Sequence, residues 1–205
     1  MGADHDKAST AAHAPVGRGW CKTGADVCAH WEQKLVGRLR SVYTLRDVAL
    51  PESVFGPGHW IRTLDARAGG PPEAGDAQQK PVVLLLHGFG NGLGVWFLCV
   101  DALVAATGLR VTCIDLPGFG LSSRPQFPVA GDGSAAEAKF VDAIEAWRKT
   151  MQIDSLILCG HSFGGYLAAA FAMRHADRCR HVLLVDPWGL PERDPGMVRG
   201  HPRQR

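Results

Sequence analysis

Leu156-Ile157-Leu158-Cys159-Gly160-His161-Ser162-Phe163-Gly164-Gly165-Tyr166-Leu167-Ala168-Ala169-Ala170-Phe171-Ala172 is the stretch whose reading decides the fold. An apolar run leads into G-x-S-x-G, and a small-residue helical run follows. This is the strand, sharp turn and helix context that a nucleophile elbow requires. The serine of such a turn sits at strained backbone angles, and its neighbours approach too closely to carry a Cβ. The turn lifts the Ser162 Oγ above the sheet, and the following helix aims its first N–H groups at the same spot. The bare pentapeptide arises readily by chance in a chain with 25 glycines. The strand before it and the helix after it argue against chance.

A second element points to the same chemistry. Pro81-Val82-Val83-Leu84-Leu85-Leu86 is a short continuous apolar run and reads as a buried strand. It ends in His87-Gly88-Phe89-Gly90. An H-G-x-G loop after the third strand supplies an oxyanion donor in hydrolases with this elbow. The backbone N–H groups of Phe89 and Phe163 are therefore the candidate pair for the oxygen of a tetrahedral intermediate. One such donor is worth roughly 2.7–4 kcal/mol of barrier. His87 itself reads as structural, a holder of the loop.

A length of 205 residues suits one domain, but it is short for a complete domain of this kind. Charge is nearly balanced, 22 basic residues against 20 acidic, so nothing points to nucleic acid. The six cysteines are scattered without a C-x-x-C pair, and three lie in or beside apolar runs. Buried cysteine behaves as a small hydrophobe, so reduced thiols in an intracellular compartment are expected. The start, Met1-Gly2-Ala3-Asp4-His5-Asp6-Lys7, has no apolar core for a signal peptide. Asp6 stands where a myristoylation signal wants Ser or Thr. No run approaches the roughly 20 apolar residues that span a bilayer, so any membrane contact is expected to be peripheral.

Along the chain, residues 1–19 are polar and expected to be disordered. A short helix is expected over 29–40, with Trp31, Leu35 and Leu39 on one face and Lys34, Arg38 and Arg40 nearby. It reads either as an ordinary packed helix or as a peripheral membrane contact. Strands are expected at 41–48 and 59–64 as an antiparallel pair, followed by a flexible loop over 66–80. After strand 81–86 come a helix over 95–106 and a strand over 110–115. Ser134-x-x-Glu137 reads as a capping box opening a helix. Phe140, Ile144, Trp147 and Met151 form the core stripe of that helix. The elbow strand 155–160, a helix over 163–175 and a last strand 181–186 complete the pattern. From residue 81 onward strands alternate with helices, which implies crossovers and a parallel sheet.

The stretch from about 29 to 195 resembles the α/β-hydrolase superfamily. It is most similar to the animal subgroup of α/β-hydrolase-domain-containing proteins four and five. The resemblance rests on 87–96 (HGFGNGLGVW), 115–125 (DLPGFGLSSRP), Trp147-Arg148, the elbow, and 185–193 (VDPWGLPER). The D-x-x-G-F-G-x-S part is shared by many hydrolases; the P-W-G-x-P-E-R part is much more specific. The fold implied is a mostly parallel sheet with helices on both faces. The implied division is a disordered segment 1–28, a partial hydrolase core 29–190 and an unstructured basic tail 191–205.

One type in this subgroup resembles a lysophospholipase acting on N-acyl-phosphatidylethanolamines. The other is a lipid-droplet coactivator of triglyceride lipase, also described as a lysophosphatidic acid acyltransferase. The coactivator type carries Asn at the elbow, whereas Ser162 is present here. The departure is at the other end. In this fold the acid and histidine of the triad follow the serine, and the chain reads as truncated after its sixth strand. His5, His13, His30, His59, His161, His175 and His201 are all poorly placed to substitute. Strand alternation is expected to turn His161 away from Ser162, and an untethered His201 lacks held geometry. Asp186 reads either as the triad acid or as a turn-forming residue before Pro187. His181-x4-Asp186 formally matches an acyltransferase pattern, but residues five apart on a strand face opposite ways.

The resemblance implies a serine-dependent hydrolase or acyltransferase of phospholipid or lysophospholipid acyl esters, in lipid metabolism and homeostasis. Ser162 would form an acyl-enzyme, and no cofactor or metal is implied. These 205 residues alone are expected not to turn over. The alternative is a non-catalytic adaptor on a membrane or lipid droplet that coactivates another lipase. Either reading implies a phospholipid or lysophospholipid ligand, and the adaptor reading adds another lipase or its regulator as a partner. Both imply a cytoplasmic place, peripheral on lipid droplets, endoplasmic reticulum or mitochondria.

Overall fold

The computed structural model describes residues 24–69, 80–128, 131 and 133–189. The expected head up to residue 23, most of the 66–80 loop, and the basic tail lie outside the described residues. So do Cys21, His5, His13 and His201.

Six strands form one sheet in the order β1-β2-β4-β3-β5-β6. The strands are β1 (Val42–Ala49), β2 (Trp60–Arg67), β3 (Val82–Leu86), β4 (Val111–Ile114), β5 (Leu156–His161) and β6 (Cys179–Val185). β3 pairs parallel with β4 and β5, and β5 with β6, while β1–β2 and β2–β4 are antiparallel. The continuous apolar runs VVLLL and VTCI are fully buried, as strands covered on both faces must be.

Register positions the site. Leu86 pairs with Ile114 on one side and with Gly160 on the other. The residues that leave these strands, His87, Asp115 and Ser162, therefore emerge at one edge. His161 pairs with Val185, which brings Asp186 to the same edge. β3 sends its neighbours to opposite sides, and ligands of open α/β sheets bind outside the strand ends at such a switch point.

Helices cover both faces. On one, α4 (Ser134–Thr150) and α5 (Phe163–Arg174) bury Ile144, Trp147, Leu167 and Phe171 against Leu84, Leu86 and Leu158. Trp147 is wholly buried and donates its indole N–H to Thr63 Oγ1 at 3.0 Å. The expected stripe is complete, with Phe140 and Met151 packed at its margins. On the other face, α1 (Ala25–Val36) and α3 (Phe97–Thr107) bury Val36, Val100 and Val104 with Leu93, Leu85 and Cys113. α2 (Glu52–Phe55) is a single turn between β1 and β2.

Three local expectations are corrected. α1 lies about a turn earlier than expected and stops at Gly37, so residues 25–28 of the expected disordered segment are helical. Val36 faces the core while Trp31 is 61% exposed, under the Lys34 ammonium 4.7 Å from its ring. An ion pair, Arg62 to Glu32 at 2.6 Å, docks the helix on β2. The capping box does not form. α4 begins at Ser134 itself after Gly133 at φ 85°, without a side-chain cap, and Glu137 accepts instead from the Tyr166 hydroxyl. The helix expected over 95–106 is preceded by a 3-10 turn, Leu93–Trp96.

β6 is the edge strand beside β5, and its Val182, Leu183, Leu184 and Val185 are 37–50% exposed. An apolar strand with this exposure has the composition of an interior strand.

Candidate active site

Ser162 stands between β5 and α5 at φ 53°, ψ −117°. A non-glycine residue at positive φ persists only where its surroundings over-determine it. Here they do. The Ser162 N–H donates to Val185 O at 3.0 Å. Its carbonyl accepts from Tyr166 N at 3.1 Å and from Trp188 N at 2.9 Å. The neighbouring glycines allow the close approach. A Cβ at Gly160 would collide with the Gly164 carbonyl, and one at Gly164 with the carbonyl of Leu86.

The H-G-x-G loop lies against the elbow. A Cβ on Gly88 would stand 3.2 Å from the Ser162 Cβ and 3.1 Å from His161 Nδ1. His161 thus borders the same glycine as Ser162. Among the described residues, neither the Phe89 N–H nor the Phe163 N–H meets an acceptor. Phe163 is the first residue of α5, whose leading N–H groups have no partner within the helix.

His87 is fully buried. Its Nε2 accepts from Leu116 N at 2.9 Å and its Nδ1 faces Gly88 O at 2.8 Å. Accepting at Nε2 and donating at Nδ1 fixes the neutral imidazole, and burial lowers the pKa. His87 ties the loop after β3 to the loop after β4.

Asp115 was not singled out by motif, although it opens the D-x-x-G-F-G-x-S segment. It is 2% exposed, and its carboxylate accepts from Leu93 N at 2.5 Å and from Leu121 N at 2.7 Å. One side chain therefore holds the turn after the H-G-x-G loop and the 115–122 loop together. Burial pushes its pKa up to about 6, against the two N–H groups that favour the anion. Gly120, at φ 49°, passes so close that a Cβ would collide with this carboxylate. The only sequence signal for this was a glycine five residues after an aspartate at a strand end.

Asp186 leaves β6 at φ 44° and is exposed. Among the described residues, no hydrogen bond or ion pair links it to a histidine or to Ser162. The alternation argument against pairing it with His181 ends at Val185, the last strand residue. His175 caps α5 at its far end, with its ring against Phe171. No described histidine hydrogen-bonds to Ser162. Among the described residues there is also no group of three His, Cys, Asp or Glu side chains able to hold a metal ion.

Aromatic side chains surround the serine. Phe163 contacts Phe140, with ring centroids 5.3 Å apart, Trp188 at 6.0 Å and Phe119 at 6.3 Å. Phe89 lies 5.4 Å from Phe119 and is 77% exposed. The arrangement offers an apolar surface beside an oxygen nucleophile and two unengaged N–H donors.

A family profile described as the alpha/beta hydrolase fold matches residues 81–201, from β3 through the elbow and beyond. The chain belongs to this family. This hydrolase-fold chain is 42% identical over 173 residues to the human "(Lyso)-N-acylphosphatidylethanolamine lipase", covering 83% of this chain and 46% of that protein. It is 47% identical over 114 residues to the rat "1-acylglycerol-3-phosphate O-acyltransferase ABHD5", covering 56% and 31%. The chain thus spans about half the length, or less, of these curated relatives. A carboxylesterase from Bacillus subtilis superposes with a TM-score of 0.60 at 17% identity, covering 80% of this chain and 50% of that one. A bacterial membrane phospholipase A superposes with 0.57 at 24% identity, covering 83% and 46%. At these identities the two structures speak to the α/β-hydrolase fold alone.

Proposed function

We propose that Ser162 is the nucleophile of a serine-dependent hydrolase or acyltransferase of phospholipid and lysophospholipid acyl esters, acting in lipid metabolism. The observation that carries this reading is the elbow itself. Ser162 is held at positive φ by three backbone hydrogen bonds, beside two N–H groups that meet no acceptor among the described residues. Strain of that kind is retained where the geometry is used. The 42% identity to a lipase of (lyso)-N-acylphosphatidylethanolamine favours lipid esters over other acyl substrates.

In this reading Ser162 Oγ attacks the ester carbonyl carbon while a base takes its proton. The Phe89 and Phe163 N–H groups receive the charge that develops on the carbonyl oxygen. Collapse expels the lysolipid or glycerol alcohol, which takes the proton, and leaves an acyl-Ser162 ester. Water resolves that ester in hydrolysis, and an acceptor alcohol does so in acyl transfer. The reading assigns the base to a histidine outside the described residues, with Asp186 as a weaker candidate for the acid.

The test is fatty acid release from lysophospholipid and N-acyl-phosphatidylethanolamine by the full-length protein. Ser162→Ala should lower the rate by several orders of magnitude. A second reading is favoured by the lack of a described base at Ser162 and by the exposed Phe89 and Trp188. It makes the protein an adaptor at a membrane or lipid-droplet surface that serves another lipase. Equal release by Ser162→Ala and the parent would select it. No described helix is long and apolar enough to cross a membrane.

A further inference from the structure

We propose that a row of four rings, Phe163, Phe140, Phe127 and Phe55, is the acyl-chain subsite of the Ser162 centre; the assignment rests on the acyl-ester reading above. The row starts at the reaction, because Phe163 follows Ser162 and its N–H is an oxyanion donor in that reading. The steps are then short. Phe163 to Phe140 is 5.3 Å between centroids, Phe140 to Phe127 is 4.4 Å with the rings stacked at 23°, and Phe127 to Phe55 is 5.3 Å. The four rings come from α5, α4, the segment after Ser123, and α2, so no linear motif contains them. All four are half-buried.

Five rings contact Phe163, and the paths they open differ in where they lead. Phe89 and Trp188 are 77% and 62% exposed, and Phe119 leads to Phe89 and to the buried His87. Tyr166 leads to Trp188, and its hydroxyl donates to Glu137. The path through Phe140 runs through two further rings before it meets charge. Its far end is Lys139, whose ammonium lies 5.7 Å from the Phe55 ring and donates to Val54 O at 2.7 Å. His59 flanks the same ring at 5.8 Å. A row of half-buried rings that begins beside a nucleophile and ends at a cation is an apolar surface of set length, and it fits a saturated hydrocarbon chain. Each methylene buried there strengthens binding roughly four-fold. Gain should then cease at the length where the chain reaches Lys139.

The test is equilibrium competition on the 205-residue chain. The probe is 11-(dansylamino)undecanoic acid, displaced by saturated fatty acids of graded length at monomeric concentrations. Binding should be saturable, with affinity climbing per methylene and then levelling. Phe127→Trp, which fills the row, should shorten the chain length at which it levels. Phe127→Ala should weaken the longest chains at least ten-fold while leaving the shortest nearly unchanged. Leu98→Ser removes an apolar side chain that is 79% exposed on α3, and should change nothing. Ser162→Ala should bind as the parent does, so loss of the hydrolase reading leaves this measurement intact. The proposal falls if binding does not saturate, if Phe127→Trp leaves the length profile unchanged, or if Leu98→Ser weakens binding as much as Phe127→Ala. Should Phe127→Ala fail to fold by circular dichroism, Phe127→Trp alone decides.

Discussion

The backbone N–H of Leu116 donates to His87 Nε2 at 2.9 Å, and this bond holds the loop after β3 against the loop after β4. It exists only while Nε2 is unprotonated. Burial lowers the His87 pKa below its ordinary 6.5, so at acid pH the unfolded chain takes up the proton first. The stability from the neutral ring is therefore fully present above about pH 6.5 and is lost as pH falls through that value toward the folded pKa. His87→Gln cannot titrate there. It should be less stable than the parent by about 1–3 kcal/mol at pH 8, and the gap should narrow by pH 5. Urea melts across that range measure it; a constant gap would contradict the assignment.

Asp115 should act with the opposite sign. Its pKa rises from 3.8 unfolded to about 6 folded, so the folded form binds the extra proton between those values. Stability from this group is present below pH 3.8 and declines as pH rises through about 6. Asp115→Asn removes the titration and also one of the two accepted N–H bonds. The stability of the parent relative to Asp115→Asn should fall from pH 4 to pH 7. A rise over that interval would show that the two N–H groups outweigh burial.

Gly120→Ala places a Cβ against the Asp115 carboxylate at φ 49°. The cost should be about 2 kcal/mol or more, combining backbone strain with displacement of a buried acceptor. In a double-mutant cycle with Asp115→Ala the two losses should add to less than their sum, because the clash disappears with the carboxylate. Simple additivity would place the strain elsewhere.

The isolated chain should react poorly with a fluorophosphonate probe, since no described histidine hydrogen-bonds to Ser162. Such probes require a serine already activated by its base. Strong labelling that Ser162→Ala abolishes would reveal an internal base in these 205 residues.

The β6 edge predicts association. Among the described residues its outer side has no neighbouring strand, and Leu183 is 50% exposed. Such an edge templates pairing with another chain. Sedimentation velocity should show concentration-dependent oligomers that Leu183→Lys disfavours. A monomeric parent at all concentrations would refute this.

The sequence by itself determined the elements and the elbow. Val82–Leu86 and Leu156–His161 announce buried strands through composition within a few residues, and Gly160 and Gly164 announce a tight turn through the absence of a Cβ. These are local quantities, set by neighbours along the chain. The capping box failed for the same reason: Ser134 and Glu137 have the right spacing, but Tyr166, on another helix, competes for the carboxylate. Only the tertiary structure decided that Asp115 would fasten two loops, that Trp31 would turn outward, and that four phenylalanines from four segments would form one row. Each depends on how helices and loops dock on the sheet, and the sheet's register is set by all its strands together. Leu86 pairs with Ile114 and Gly160 at once, and that double pairing brings residues far apart in sequence to one edge.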